Sequence, residues 1–339
     1  MTDGCCFQDE DVQAVIIDNG SHTIKAGFAG NDAPHVVIPA KSGHPITNDA
    51  ITNWEGLETL WGDVFKQLDV DPSGHPVLFT VGYLISKADQ EKMIKIMFEK
   101  FNVPALFVSI PAHFSLHAAQ KTTGVVVDVG ESHLSVVPIH EGNPVPHALA
   151  SGKASGRALT NYLQELLGKE SHKFTSSELS KTEEIKEKAC YLATDFDKEV
   201  ATLSQGKASS LPGASRVEAP EALFNPSPLG KGSISIEEAI NSAIKKCDSN
   251  LHKDLYGNIL LAGGTTTFNN FSDRLQKALE KSASHRVRVT APPERKYSAW
   301  IGASELASLS DFQMRWFSKE EYDDNASIAQ EKCPHYDGA

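Results

Sequence analysis

Apolar positions follow two rhythms along this chain, alternating or continuous runs of four to six residues and longer runs with helical spacing. Ala14-Val-Ile-Ile-Asp18 is a β-branched apolar run that stops at an acidic residue, and Asn19-Gly20-Ser21 turns the chain. Thr23 to Phe28 and His35-Val-Val-Ile38 read as two further strands after turns bearing Gly or Pro. Trp54 to Leu68 carries Trp54, Leu57, Leu60, Trp61, Val64 and Phe65 on one helical face. Pro76-Val-Leu-Phe-Thr80 predicts a buried strand, Lys87 to Phe101 a helix, Ala105 to Ile110 a strand, and Pro111 to Gln120 a helix. Pro111 suits the first turn of that helix, where a missing N–H costs nothing.

The pattern then restarts. Thr123-Gly-Val-Val-Val-Asp128-Val129-Gly130 repeats the logic of Ile16-Ile-Asp18-Asn19-Gly20: a buried strand, an aspartate, a glycine turn. Strands follow at His133 to His140 and at Pro146 to Ser151. Such duplication predicts two α/β lobes with a cleft between the paired turns. Ser176 to Phe196 reads as mostly helix, Ser204 to Ala219 as a loop rich in Ser, Gly and Pro, and Ile236 to Cys247 as a helix. Asn258-Ile-Leu-Leu-Ala262 is a strand running into Gly263-Gly264-Thr265-Thr266, and Phe271 to Lys281 is a helix. After Ala291-Pro-Pro-Glu-Arg-Lys-Tyr297 a last helical region holds Trp300, Ile301, Leu306 and Leu309.

Composition narrows the class. With 40% hydrophobic and 22% charged residues the chain is globular rather than disordered or coiled-coil. A net charge of −12 argues against non-specific nucleic-acid binding, which needs phosphate neutralisation by Lys and Arg. No apolar run is long enough to span a bilayer, and Met1 to Asp11 lacks a secretory apolar core. Five scattered cysteines, Cys5, Cys6, Cys190, Cys247 and Cys333, do not form a disulfide framework, so a reducing compartment is expected.

The chemistry sits at the turns. A strand–Asp–Gly–Ser turn offers backbone N–H groups and a hydroxyl to an anion, and Lys25 on the next strand supplies a compact positive charge. The loop Asp128-Val129-Gly130-Glu131-Ser132 is placed to hold the other side of a polyphosphate. Asp18 and Asp128 suit Mg²⁺ bound through water. Gly263-Gly264 permits close backbone approach to a nucleobase or ribose. His113 and His117 have the i, i+4 spacing of a zinc pair but no third ligand, and read as two unconnected helix histidines.

These residues carry a resemblance to the actin family. Asp18-Asn-Gly-Ser21 and Lys25-Ala-Gly-Phe-Ala-Gly30 resemble its first phosphate loop; Ile51-Thr-Asn-Trp54, His75-Pro-Val-Leu78 and Glu91-Lys-Met93 resemble its first large lobe. Ile185-Lys-Glu-Lys188, Pro220-Glu-Ala-Leu-Phe224, Lys253-Asp-Leu-Tyr256, Gly263-Gly-Thr-Thr266, Ala291-Pro-Pro-Glu-Arg-Lys-Tyr297 and Glu321-Tyr322-Asp323 continue the likeness, from about Val12 to Lys332. The resemblance implies an α/β fold of duplicated, ribonuclease H-like ATPase lobes around a nucleotide cleft. It implies a tail at 1–11, a first lobe at 12–120, a second at 121–323 with 291–323 returning to the first, and a loose tail at 324–339. It implies ATP or ADP with Mg²⁺: Ser21, His22 and Lys25 with Gly130, Glu131, Ser132 and His133 at the phosphates, and Asp18 and Asp128 at the hydrated metal. Lys186 and Glu187 would contact ribose and base, and Gly264, Thr265, Phe268 and Lys296 would wrap the adenosine.

The departures shape the functional expectation. The segment between Pro45 and Thr52 is too short for the family's small second subdomain, which docks into the next subunit of a filament. Pro111 stands where the family has the glutamine that positions the attacking water, and Ser135 replaces a nearby histidine. His22 replaces a phosphate-loop glycine; at a backbone needing φ > 0 its Cβ would cost about 1–2 kcal/mol. Glu131 and Ser132 stand for an aspartate and a glycine, and His133 for a small apolar residue. Pro228-Leu-Gly-Lys231 replaces an apolar plug, and Glu305, Arg315, His117 and Gln120 add charge or bulk around a partner groove floored by Leu306 and Leu309. The expectation is an ATP- or ADP-binding cytoskeletal or complex subunit, a pseudo-ATPase impaired in polymerisation. It binds protein partners and no nucleic acid, and lies in the cytoplasm with the cytoskeleton, or in the nucleus. The alternatives are a phosphotransferase of the same superfamily, for which no sugar-binding carboxylate motif is found, and the product of a decayed gene.

Overall fold

The computed structural model describes residues 12–40, 45–47, 50–169, 179–205 and 213–328. Contacts divide it into two units, at Thr122/Thr123 and again at Lys296/Tyr297. The expectations for Cys5, Cys6, Cys333 and the tail at 1–11 lie outside the described residues, as do those for the second tail beyond Ile328.

The first unit opens with β1 (Val15–Asn19), β2 (Thr23–Phe28) and β3 (Val36–Pro39). β4 (Ile46–Thr47) and β5 (Ala50–Ile51) form a two-stranded ribbon pairing Ile46 with Ile51. The helix α1 (Trp54–Leu68) is capped by Asn53, whose side chain accepts from Gly56 N, and it buries Leu57, Leu60, Trp61, Val64 and Phe65. There follow β6 (Val77–Thr80), α2 (Lys87–Glu99), β7 (Ala105–Ser109) and α3 (Pro111–Ala118), which has Pro111 in its first turn.

The second unit contains β8 (Gly124–Val129), β9 (Leu134–His140), β10 (Asn143–Pro144) and β11 (Ala150–Gly152). The strand expected at Pro146 to Ser151 starts instead as a 3-10 turn over Pro146–Ala148, because Pro146 lacks the N–H a ladder needs. Helices α4 (Gly156–Lys169), α5 (Leu179–Ala189), α6 (Phe196–Gln205) and α7 (Ser215–Glu221) follow. The helix expected to reach Phe196 breaks after Ala189, where Tyr191 N donates to Arg216 O and Leu192 N to Asn269 O. The loop expected over Ser204 to Ala219 is helical at both ends. α7 forms there because Ser215, Val217 and Ala219 are buried and the helix packs on α4, so tertiary burial overrides a turn-like composition. The unit ends with α8 (Ile236–Lys246), α9 (His252–Tyr256), β12 (Ile259–Ala262), α10 (Phe271–Glu280) and β13 (Val289–Thr290).

The chain then returns to the first unit as α11 (Ser298–Ala307), β14 (Phe317–Ser318) and α12 (Lys319–Asp324). The two sheets share a plan. In the first the order is β14-β7-β6-β1-β2-β3, with β1 antiparallel to β2 and parallel to β6. In the second it is β10-β9-β8-β12-β13, with β8 antiparallel to β9 and parallel to β12, and with β11 also on β9. The duplication legible in the sequence is therefore a duplication of topology.

Each unit has its own core. Val15, Ile17, Trp61, Phe79 and Met97 lie in one cluster of the first unit and Ile16, Phe114 and Trp300 in another. Val127, Leu163, Ile240, Leu261 and Phe271 lie in the core of the second. Gly302 on α11 touches the Phe114 carbonyl of α3 so closely that a Cβ would collide with it, and α3 and α11 pack on each other through this gap. Cys190 and Cys247 are buried, and burial pushes their thiols up to about 12 and about 11, so both behave as small core hydrophobes.

Candidate nucleotide-site loops

In the first unit the candidate residues lie at the β1–β2 turn. Asp18 pairs with Lys25 across the hairpin, which fixes the ammonium beside the carboxylate: Lys25 Nζ donates to Asp18 Oδ2 at 2.7 Å. Thr80, at the end of β6, donates from Oγ1 to Asp18 Oδ1 at 2.9 Å. Asn19 N donates back to Thr80 Oγ1, Asn19 Nδ2 donates to Thr80 O, and Trp61 Nε1 donates to Asn19 Oδ1, all at 2.9 Å. Asp18 is only 5% exposed, and its neutralisation by Lys25 makes that burial tolerable. Each carboxylate oxygen has a second lone pair, so the group can still accept from a metal-bound water.

Ser21 and His22 sit in the turn, half-buried. The positive-φ residues other than glycine among those described are Asp69, Asn102, Gln120, Glu141 and Asn270. His22 is not one of them, so the backbone strain considered for it does not arise. Thr80 and Asn19 were not singled out from the sequence. The available signal was the position of Thr80 at the carboxyl end of a strand parallel to β1, where ligands of open α/β sheets gather.

In the second unit Asp128 is the next-to-last residue of the central strand β8 and pairs with the buried Ser135 on β9. The loop Gly130–His133 closes by a bond from Gly130 N to His133 O at 3.1 Å. Gly130 O accepts from Gly156 N at 2.8 Å and from Thr265 Oγ1 at 3.1 Å, and Glu131 O accepts from Arg157 N at 2.9 Å. The start of α4 thus stitches the loop in place. Arg157 Nε also pairs with Glu131 Oε1 at 2.7 Å, and Ser132 Oγ lies 3.0 Å from His133 Nδ1.

Lys186 is 6% exposed and donates to Gly156 O at 3.0 Å and Thr160 Oγ1 at 2.8 Å. Burial lowers its ammonium below the usual lysine range, opposed by Glu131, Glu183 and Glu187. Glu187 itself is exposed. Gly263 follows β12 with φ 84°, a conformation that favours glycine. A Cβ there would strike Asp128 Oδ1 and lie 2.6 Å from Val129 O. Lys296 passes Gly264, its Cγ 3.8 Å from where a Gly264 Cβ would be.

Asp128, Gly130, Glu131, Ser132, His133, Lys186, Gly264, Thr265 and Lys296 therefore belong to one locality of the second unit. Phe268 differs: it is 8% exposed and packs in the hydrophobic core. Arg157 and Thr160 were missed in the sequence because Arg157 meets the earlier Gly130–His133 loop and Thr160 meets Lys186 of the later helix α5, contacts without local periodicity.

His113, one residue into α3 beyond the Pro111-Ala112 start, lies 3.0 Å from Ser109 Oγ through Nδ1 and stacks on Phe114. Burial, with His117 and Arg315 nearby, lowers its pKa to about 4 and keeps it neutral at pH 7. Leu306 is buried in the core, while Leu309 is 47% exposed. No described helix is long and apolar enough to cross a membrane.

A family model described as actin matches residues 9–50 and 42–334. With that extent of match, and with one sheet plan repeated in both units, the chain belongs to the actin family and has its α/β ATPase-type fold.

Proposed function

We propose that this protein binds ATP or ADP with Mg²⁺ as a structural or regulatory subunit, and that it neither hydrolyses ATP at a useful rate nor forms conventional filaments. The observation that carries the reading is the local design repeated in each unit: a carboxylate near the end of the central strand, then a turn, with Lys25 against Asp18 in one and Lys186 beside Gly156 in the other. Ser21, His22 and Lys25, with Gly130, Glu131, Ser132 and His133, take the phosphates. Mg²⁺ keeps its waters and is held through them by Asp18 and Asp128. Lys186 and Glu187 take ribose and base, and Gly264, Thr265 and Lys296 flank the adenosine, with Phe268 supporting them from the core. The metal would neutralise phosphate charge; the residues of this chain orient the nucleotide.

A thermal melt with and without Mg·ATP tests binding. A ligand at 100 times its Kd adds about 2.7 kcal/mol, a rise of several degrees for a chain of this size. No rise at millimolar Mg·ATP would overturn the proposal.

A filament needs heterologous contacts that repeat without closing. In the place of a docking subdomain the described residues between Pro45 and Thr52 form the β4–β5 ribbon alone. The protein is expected to stay in the supernatant when sedimented in polymerising salt; helical polymers in electron micrographs would contradict this. Protein partners dock instead at the surface bearing Leu309 and Met314, which are 47% and 69% exposed. A cytoplasmic, cytoskeleton-associated setting fits this role, and the nucleus fits it equally.

A further inference from the structure

Away from these loops, the second unit contains an ion cluster of unequal charge. Arg274 on α10 donates from Nη2 to Glu221 Oε1 at 2.6 Å, and its guanidinium lies 4.2 Å from the Phe224 ring centroid. Glu221 ends α7 and is 8% exposed; its other oxygen, Oε2, is buried without a hydrogen-bond partner. Glu237, in the first turn of α8, is half-buried, and its Oε2 is also buried without a partner. Glu237 is within electrostatic reach of both Arg274 and Glu221. Arg274 therefore pairs directly with Glu221 and acts on Glu237 only through its field.

Among the described residues, the other charges acting on the cluster are Asp197 from α6, which acts on Glu221, and Glu238 and Lys281, which act on Glu237. α4 also packs on α7, and its Tyr162 lies within reach of Glu165 and Glu218. A buried carboxylate oxygen without a donor is costly, and a proton removes the excess charge while turning that oxygen into a donor. Glu221 in turn raises the proton affinity of Glu237.

We propose that Glu221 and Glu237, set against the single Arg274, form a proton-linked brace: uptake of one proton by the pair steadies the junction of α7, α8 and α10, so mild acid tightens this part of the second unit and alkali loosens it. Burial raises both carboxyls above the usual carboxylate range, and Arg274 only partly opposes it. The sign follows. A folded-state pKa above the unfolded one means that the folded state binds more protons, so its stabilisation is complete below the unfolded pKa and is lost as pH rises through the folded one. Ordinary surface carboxylates paired with bases do the reverse.

Hydrogen–deuterium exchange on the full chain at pH 5.5 and pH 7.5, corrected for intrinsic rates, tests the brace. Amides of α7 and α8 are expected to be more protected at pH 5.5 than at pH 7.5, because the folded state holds the proton more tightly than the unfolded one. α1 of the first unit should show no such gain. Glu237→Gln, which carries the equivalent of a permanent proton, should hold the higher protection at both pH values. Equal or lower wild-type protection at pH 5.5, or an unchanged pH ratio in E237Q, would overturn the proposal. If E237Q does not fold, carboxyl ¹³C titration of the wild-type protein decides: a Glu221 or Glu237 midpoint above the ordinary value of about 4.3 supports the brace, and midpoints at or below it refute it.

Discussion

Gly302→Val will cost upwards of about 3 kcal/mol, lowering the melting temperature by about 4 °C or more. The cause is local and steric. A Cβ at Gly302 collides with the Phe114 carbonyl and sits 3.1 Å from Ala118 N, both backbone atoms of α3 that cannot rotate away. Separating α3 from α11 would also disturb Ser298 Oγ, which donates to Ser115 Oγ at 3.0 Å in a buried pair. Trp300, fully buried on α11, would shift with it. Gly62→Ala on α1 is the control. Nothing lies within 4 Å of its Cβ, and alanine in a helix interior is favoured over glycine by about 1 kcal/mol. Paired melts of the two variants check the argument; a G302V protein as stable as the wild type would refute it.

Phosphate release in a single turnover with Mg·ATP will run about 10²–10⁴-fold below that of a relative with a water-orienting glutamine at the start of α3. Pro111 begins α3 and offers no side-chain donor or acceptor. The nearby alternatives are poorly suited. His113 has a pKa of about 4, which makes it a weak base at neutral pH. Glu131 is tied by Arg157 at 2.7 Å. Pro111→Gln should raise the rate about ten- to a hundredfold, since the first helical turn does not require proline. Wild-type turnover equal to the glutamine-bearing relative, or no gain in P111Q, would show that water orientation is not what this chain lacks.

What the sequence made legible had a period or a punctuation mark. The helices over Trp54–Leu68 and Phe271–Glu280 carry clean apolar stripes and begin within the expected residues. The paired aspartates were legible because each ends a β-branched run just ahead of a glycine turn. α7 was not, because it lies in a stretch whose Ser, Gly and Pro content resembles a loop until α4 is there to bury Val217 and Ala219. The Asp18–Thr80 and Glu131–Arg157 links, and the bonds of the Lys186 ammonium to Gly156 and Thr160, join residues far apart in sequence and leave no local trace.

Isothermal titration of the purified chain with Mg·ATP, followed by recovery of the nucleotide, tests the central claim most directly. The account predicts one site per chain with a Kd below millimolar, and bound nucleotide recovered as intact ATP. Absence of binding heat up to millimolar ATP, or recovery of ADP with an equal amount of phosphate, would contradict it.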